Sequence, residues 1–147
     1  SYVNLGKLIL NVLRKMMEKI LFLCTGNSCR SQMAEGFAKK LGWDSYSAGT
    51  HPETAINPNA IKVMSEIGID ISQQKPKSLN SFSDLHFNIV ASVCDNAKQS
   101  CPVFIGSSDS IIHQSFQDPI DKKGSKDEIL NEFRNIRDLI KTWVDSL

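Results

Sequence analysis

The stretch that most constrains the fold is residues 19–31, where an apolar run leads through a short loop into a helical pattern. Residues 20–23 are all apolar, as is typical of a buried strand in a parallel sheet. Beyond the loop, Met33, Phe37 and Leu41 recur at helical spacing. The chain is therefore predicted to pass from a buried strand through a tight loop directly into a helix.

The predicted loop contains a cysteine and, six positions later, an arginine: Cys24 and Arg30. Backbone N–H groups of such a loop, with the N-terminus of the following helix, can surround a tetrahedral oxyanion, and a guanidinium can bind two of its oxygens. The same positive field favours the thiolate form of a cysteine. Cys24 is therefore a candidate nucleophile inside an anion site. The expected oxyanion-binding residues are Thr25, Gly26, Asn27, Ser28, Cys29 and Arg30.

Four side chains in or beside this loop have specific expected roles. Gly26 is expected to permit a backbone turn that other residues resist, and Asn27 to adopt left-handed geometry and hold the loop through its amide. Ser31 has two interpretations: its hydroxyl hydrogen-bonds the Cys24 thiolate, or it caps the helix. Cys29 is interpreted as a small side chain that packs the loop.

Length, charge and cysteine usage limit the class of protein. The 147 residues are enough for one domain with its own core, and a net charge of +1 without a long basic run gives no indication of nucleic-acid binding. The four cysteines accompany no recognisable export signal, so we expect reactive thiols rather than a disulfide framework. The predicted protein is a cytoplasmic monomer with no nucleic-acid or membrane partner.

Residues 1–16, whose apolar residues recur at helical spacing, are expected to form an extension ahead of a domain at residues 17–147. The extension is too short and too polar to span a bilayer, and no signal-peptide cleavage site follows it. It is interpreted as an addition ahead of the domain's own start, or as a helix that packs on the domain or touches a membrane surface. Its apolar residues that share one helical face are Leu5, Leu8, Ile9, Val12, Leu13 and Met16.

The rest of the chain alternates strand and helix patterns. Asn57 and Pro58 are typical of a helix start and Gly68 of a helix end, while Ser125 and Glu128 form a capping box for a long last helix. Such alternation predicts an α/β fold: one domain with a four-stranded parallel sheet flanked by helices on both faces. The strands after the first are predicted at residues 44–48, 88–93 and 111–116.

Three chemically useful residues follow predicted strands: Cys24, Cys94 and Asp118. In sheets of this class, ligands bind at the carboxyl ends of the strands, so these side chains are expected at one edge. Asp118 precedes Pro119 and has two interpretations. It is an acid that protonates an oxygen leaving the bound oxyanion, or it is an ordinary turn aspartate.

Cys94 and Cys101 frame a polar segment, C-D-N-A-K-Q-S-C. The spacing is unlike that of a zinc site and the three histidines are scattered along the chain, so no metal is expected. A polar segment of this kind is expected to let Cys94 reach Cys24 and Cys101 then reach Cys94. That would be a relay of thiol–disulfide exchanges.

Six motifs occur in order: C-T-G-N-S-C-R-S-Q-M-A-E-G, S-A-G-T, N-P-N-A-I, I-D-I-S, C-D-N-A-K-Q-S-C-P and the D-P before the last helix. Together they resemble the thioredoxin-coupled arsenate reductases, which share the fold of the low-molecular-weight protein tyrosine phosphatases. The resemblance begins near Met17 and extends to the C-terminus, so residues 1–16 lie outside it.

The resemblance implies that arsenate, or phosphate or sulfate as its mimic, binds the loop of residues 25–30. It implies that Cys24 attacks arsenic with the help of Arg30 and Ser31, while Asp118 protonates the departing hydroxide. Cys94 then attacks Cys24, which releases arsenite and leaves a Cys24–Cys94 disulfide. Cys101 next attacks Cys94, and thioredoxin reduces the resulting Cys94–Cys101 disulfide. No bound cofactor is needed, because thiols supply both electrons.

Some proteins of this family hold potassium beside the loop, with a serine like Ser47 and with threonine and aspartate residues where this chain has Lys75 and Lys77. A lysine ammonium is expected to replace the cation, so potassium dependence is predicted to be weak or absent.

Two other functions remain open. A phosphotyrosine phosphatase would use the same loop but leave Cys94 and Cys101 idle, and it would favour aromatic residues beside the D-P motif, where no tyrosine pair occurs. An anion sensor without turnover fits less well, because nucleophile, arginine and acid are all present.

Overall fold

The computed structural model of the chain describes residues 2–95, 104 and 106–147. Helix α1 (Tyr2–Met17) precedes strand β1 (Lys19–Cys24), and helix α2 (Arg30–Lys40) leads to strand β2 (Asp44–Gly49). Helix α3 (Pro58–Ser65) and a short 3-10 helix (Leu79–Phe82) come before strand β3 (His86–Ser92). Strand β4 (Ser107–His113), a second 3-10 helix (Pro119–Asp121) and helix α4 (Lys126–Asp145) complete the order.

The four strands form one sheet in the order β2-β1-β3-β4, and every neighbouring pair is parallel. β1 is central, so its carboxyl end has neighbours on both sides: Cys24 pairs with Gly49 of β2, and Leu23 with Ser92 of β3. The predicted α/β class and its four-stranded parallel sheet are confirmed. This register brings the residues that follow β1 and β3 to the same edge of the sheet.

Alternate residues of β1 face opposite sides of the sheet, because successive side chains of a strand point in opposite directions. Ile20 and Phe22 pack in one buried cluster with apolar residues of α2, α3 and α4. Leu21 and Leu23 belong to a second cluster that includes Phe82 of the first 3-10 helix. Both faces of β1 are therefore covered, which explains why its sequence is continuously apolar.

The predicted bounds of β3, β4 and α3 are wrong. β3 spans His86–Ser92 rather than residues 88–93. β4 begins at Ser107 and ends at His113, whereas the apolar run predicted residues 111–116. The first residues of β4 are polar and pair with β3 through their backbone at the edge of the sheet. An edge strand of this kind lacks the alternation of apolar and polar residues by which a strand is recognised in a sequence.

α3 ends at Ser65 rather than at Gly68. Helical spacing predicts Ile67 on the apolar face of this helix, with Ala60, Val63 and Met64. Because α3 ends before it, Ile67 lies beyond the helix and is exposed.

The predicted helix starts at Asn57 and Ser125 are confirmed. The Asn57 side chain accepts a hydrogen bond from the backbone N–H of Asn59, and Ser125 forms a capping box with Glu128. These local signals fix where α3 and α4 begin.

Helix α1 lies outside both core clusters, and its large apolar side chains from Leu5 onward are exposed. Its last turn lies beside Gly42, where an added Cβ would sit 3.4 Å from Met16 Cγ. Among the described residues, no helix is long and apolar enough to cross a membrane. The division of the chain at residue 16 stays a prediction.

Candidate active site

The segment between β1 and α2 forms one wall of a small cavity at the carboxyl edge of the sheet. The cavity has a volume of about 150 Å³, which suits a tetrahedral oxyanion rather than a large ligand. All six predicted oxyanion-binding residues line it, together with Cys24 and Asp118. Its further lining residues are His51, Glu53 and Ile120.

The thiol of Cys24 is surrounded by polar groups although it is only 3% exposed. The backbone N–H of Asn27 donates to Cys24 Sγ at 3.2 Å, and Ser31 Oγ lies 3.0 Å from the same sulfur. Ser31 is the second residue of α2 and is not its cap, because Cys29 occupies the N-cap without a side-chain hydrogen bond. The geometry therefore favours the first of the two interpretations of Ser31.

Asn27 holds the loop in shape through its backbone and its amide. Its φ of 51° is the only positive φ among the described non-glycine residues. Its Nδ2 donates to Ser31 Oγ and Ser47 Oγ, at 2.8 Å each, and its Oδ1 accepts from the backbone N–H of Lys77 at 2.9 Å. All these groups converge on a side chain that is fully buried. The predicted left-handed geometry and amide contacts of Asn27 are present.

Gly26 does not play the predicted part, because its φ is not in the positive range. What confines it is space: an added Cβ would sit 3.2 Å from Glu53 Cγ. The expectation that Gly26 supplies the unusual turn was therefore wrong, and Asn27 supplies it instead. An asparagine takes this conformation more readily than most residues because its short polar side chain hydrogen-bonds locally.

Arg30 forms a buried ion pair with Asp118 across the cavity. Arg30 Nη2 lies 3.1 Å from Asp118 Oδ2, and Arg30 Nη1 donates to the Phe116 carbonyl oxygen at 3.0 Å. Asp118 also accepts from the backbone N–H of Ile120, so it is at once a turn aspartate and a cavity residue. The guanidinium that is predicted to bind an oxyanion thus already has a carboxylate partner.

Cys29 lies in the cavity wall but is a poor candidate for chemistry. Burial is the main cause that raises the pKa of its thiol to about 12. The thiol therefore stays protonated near neutral pH and is a weak nucleophile. This agrees with the interpretation of Cys29 as a packing residue.

A second set of polar residues lies behind the loop. Ser47 and Lys77 are expected there from the sequence, whereas the buried Glu35 was missed. The buried carboxylate of Glu35 accepts from Ser47 Oγ at 2.8 Å and pairs with Lys39 Nζ at 2.7 Å and Lys77 Nζ at 3.6 Å. Burial also lowers the pKa of Lys77. Glu35 and Lys39 are an i,i+4 pair within α2, whereas Lys77 reaches Glu35 only through the tertiary fold. Through Ser47, this cluster reaches the amide of Asn27.

The loop after β2 forms the rim of the cavity and was also missed. The backbone N–H groups of His51 and Glu53 donate to the carbonyl oxygens of Thr25 and Gly26, at 2.9 Å each. These bonds join the rim to the oxyanion loop as one unit. No pattern of side chains predicts them, because the backbone makes them.

Cys94 is the described member of the second predicted cysteine pair, and Cys101 lies outside the described residues. Cys94 is fully buried and disulfide-bonded, whereas Cys24 and Cys29 are free thiols. It follows β3 by two residues, next to the strand that ends at Cys24. No group of three potential metal ligands occurs in the part of the chain that the structure describes.

A parallel sheet that presents a buried cysteine thiol and an arginine at an anion-sized cavity is the arrangement of a phosphatase-like protein. The low molecular weight phosphotyrosine protein phosphatase family matches residues 19–147, and the chain belongs to this family.

Within this family, the chain is similar to several arsenate reductases. The chain is 46% identical over 134 residues to an arsenate reductase of Halalkalibacterium halodurans, covering 86% of this chain and 95% of the relative. A solved arsenate reductase in the phosphate binding state is 34% identical, with a TM-score of 0.75 and coverage of 88% and 95%. Another arsenate reductase structure, in an oxidized state, is 33% identical with a TM-score of 0.74, covering 89% of this chain and 96% of that one.

Proposed function

We propose that this protein reduces arsenate to arsenite by a relay of three cysteines, Cys24, Cys94 and Cys101, and that thioredoxin regenerates it. The observation that carries the proposal is the position of Cys24 and Cys94. Cys24 ends β1 and Cys94 lies two residues beyond the neighbouring strand β3, just past the paired residues Leu23 and Ser92. Neighbouring strands lie about 4.8 Å apart, so a short shift of the chain after β3 joins the two sulfurs.

The cavity supplies what the first step needs. Arsenate has the shape and charge of phosphate, and the similar arsenate reductase in the phosphate binding state supports an oxyanion at this position. Backbone N–H groups of the loop and the start of α2 would bind its oxygens. Arg30 would exchange its bond to Asp118 for a bond to the anion, whose negative charge then favours the neutral acid form of that carboxyl group.

The chemistry balances in three steps. The Cys24 thiolate attacks arsenic(V), and hydroxide leaves as water with a proton from Asp118. Cys94, as thiolate, attacks the Cys24 sulfur; the sulfur–arsenic bond breaks, its electron pair reduces arsenic to arsenic(III), and arsenite leaves. Cys101 then attacks Cys94 and releases the Cys24 thiolate. The remaining disulfide accepts two electrons and two protons from a dithiol, which we propose is thioredoxin.

The cysteine states support this order. A free Cys24 beside a disulfide-bonded Cys94 is the state expected after the second exchange. In that state the nucleophile is already regenerated, and only the distal disulfide awaits reduction. The similarity to an arsenate reductase in an oxidized state agrees with this interpretation.

No bound cofactor is required in this proposal, and Lys77 would take the part of a monovalent cation. Its ammonium lies 3.6 Å from the buried Glu35 carboxylate and donates to the Lys75 carbonyl oxygen at 2.6 Å. A fixed positive charge there stabilises the carboxylate that orients Ser47. We therefore expect equal thermal stability in potassium and sodium chloride for the wild type, and a potassium-specific gain in Lys77→Met. A potassium-specific gain in the wild type would contradict this.

Hydrolysis of an aryl phosphate is the second candidate activity, because the family match and the cavity suit it equally well. Hydrolysis needs no second cysteine, so substitution of Cys94 or Cys101 distinguishes the two functions. We propose reduction as the main activity in the cytoplasm, with the chain acting as a monomer.

The test is arsenate reduction with thioredoxin, thioredoxin reductase and NADPH. Wild type and Cys29→Ser are expected to turn over many times, and Cys94→Ser not at all. Cys101→Ser is expected to release one arsenite per chain and stop as a Cys24–Cys94 disulfide, which mass spectrometry detects. Normal turnover by both Cys94→Ser and Cys101→Ser would exclude the relay. Hydrolysis of p-nitrophenyl phosphate without arsenate reduction would establish the phosphatase instead.

A further inference from the structure

Helix α1 carries an apolar face that no other described part of the molecule covers. Its large apolar side chains are between 43% exposed, at Val12, and 83% exposed, at Met17. Leu5, Leu8 and Ile9, on the face recognised from the sequence, are each at least half exposed. So long a row of exposed apolar side chains marks an interaction surface.

The charges of α1 are all positive. Lys7, Arg14 and Lys15 are its only charged residues, so the helix carries three positive charges and no negative one. At 3.6 residues per turn, Lys7 and Arg14 lie about 150° around the axis from Ile9. The helix therefore has an apolar face and a basic face, the pattern of a helix that lies in the surface of a membrane.

We propose that α1 binds the surface of an anionic lipid bilayer, with its apolar face in the headgroup region and its basic residues against lipid phosphates. Charge decides between this occupant and a second copy of the chain. Two α1 helices paired through their apolar faces leave every basic residue without an opposite charge. An anionic bilayer offers lipid chains to the apolar face and phosphate groups to the basic residues. The 16 residues make a helix of about 24 Å, shorter than a hydrocarbon core of about 30 Å, so α1 would lie along the surface.

The position of α1 keeps the active site open in this arrangement. α1 runs directly into Lys19 at the amino end of β1, and its last turn lies beside Gly42, just before β2. Cys24 and the cavity are at the opposite, carboxyl edge of the sheet. A bilayer under α1 therefore leaves the cavity facing water. The family match begins at Lys19, so the proposal places membrane attachment outside the catalytic domain.

The proposal departs from the prediction that the protein has no membrane partner. The sequence left residues 1–16 open to a second interpretation, a helix that packs on the domain or touches a membrane surface. A net charge of +1 for the whole chain does not show the local excess of positive charge in α1. The arrangement of charge and apolar area on one helix is what supports surface binding.

Co-sedimentation of the full chain with vesicles tests this. We expect binding to phosphatidylcholine vesicles with 30% phosphatidylglycerol, weakening as salt rises, and at least tenfold weaker binding to pure phosphatidylcholine. Neutralising Lys7, Arg14 and Lys15 to glutamine should weaken binding on the order of 100-fold. A Leu8→Ser, Ile9→Ser, Leu13→Ser variant should lose binding, with unchanged arsenate-site properties because these side chains are exposed.

The matched control removes three positive charges elsewhere, at the exposed Lys122, Lys123 and Lys126. It should bind anionic vesicles like the wild type. The proposal would be overturned by no binding of the wild type to anionic vesicles, by equal loss of binding in the control, or by an α1-dependent dimer in light scattering that does not bind vesicles. Equal binding to neutral vesicles would also overturn it, since the basic face would then have no role.

Discussion

Asn27 connects the oxyanion loop to two other parts of the molecule through one amide. It contacts Ser31, which adjoins the nucleophile, and Ser47 of β2, which leads to Glu35. Its backbone is also in the left-handed region. The shape of the anion site therefore depends on this residue, although Asn27 is not expected to react.

We predict that Asn27→Ala lowers both stability and anion affinity. The left-handed backbone costs alanine about 1 kcal/mol, and buried partners left without hydrogen bonds cost about 1–3 kcal/mol more. Chemical denaturation should show a loss of roughly 2–4 kcal/mol in the free energy of unfolding. The exposed Asn80 offers the control, since Asn80→Ala removes an equal side chain far from the loop. A loss of similar size in both variants would contradict the role given to Asn27.

Cys29 should resist alkylation. Because burial raises the pKa of its thiol to about 12, almost none of it is thiolate at pH 8. With Cys94 held in a disulfide, iodoacetamide should add once per chain, at Cys24. Mass spectrometry of digested protein locates the adduct, and Cys29→Ser should give the same count. Rapid modification of Cys29 at pH 8 would show that the thiol is more accessible than its burial indicates.

At the scale of the elements, α3 and α4 are joined by a charged link. Glu66, at the end of α3, pairs with Arg134 at 2.7 Å and with Arg137 at 3.2 Å. Hydrogen bonding to Arg134 is the main cause that lowers the pKa of Glu66. The link thus adds stability above the usual pKa of glutamate and loses it as the pH falls through the lowered value.

We therefore predict that Glu66→Gln lowers the melting temperature at pH 7, and that the difference from the wild type disappears once the pH has fallen below the lowered pKa of Glu66 and its carboxylate is protonated. The exposed pair has modest strength, so a shift of a few degrees or less is expected. Thermal unfolding followed by circular dichroism at pH 7 and at successively lower pH measures it. Asp84→Asn, another exposed carboxylate, is the control. A pH-independent difference would point to packing rather than charge.

The elements that sequence predicts well are those whose signals are local. The apolar run of β1, the caps at Asn57 and Ser125 and the cysteine-to-arginine loop all lie within a few neighbouring residues. β4 was misplaced because its pairing to β3 is made by the backbone of polar residues. Glu35 and Lys77 belong to the support of the loop only through tertiary contacts across 42 residues of chain, so no pattern around either residue indicates the pair.

At the scale of the whole molecule, anion binding should stabilise the fold. A ligand that binds only the folded state adds about 2.7 kcal/mol at a concentration 100 times its Kd. We expect phosphate and sulfate to raise the melting temperature of the wild type, and the rise to grow with the logarithm of the anion concentration once that concentration exceeds the Kd. Arg30→Ala should abolish this rise, while potassium chloride at matched ionic strength serves as the control for screening. A rise that persists in Arg30→Ala would place the anion elsewhere.

The Arg30–Asp118 pair makes anion entry an exchange rather than an occupation of empty space. An incoming ion must replace a carboxylate that is already held, so only the difference between the two interactions drives binding. A small monovalent ion such as chloride offers one charge and no set of oxygens, and it gains little by the exchange. A doubly charged tetrahedral ion also engages the backbone N–H groups. We therefore expect the site to favour tetrahedral oxyanions over chloride through competition with the Asp118 side chain.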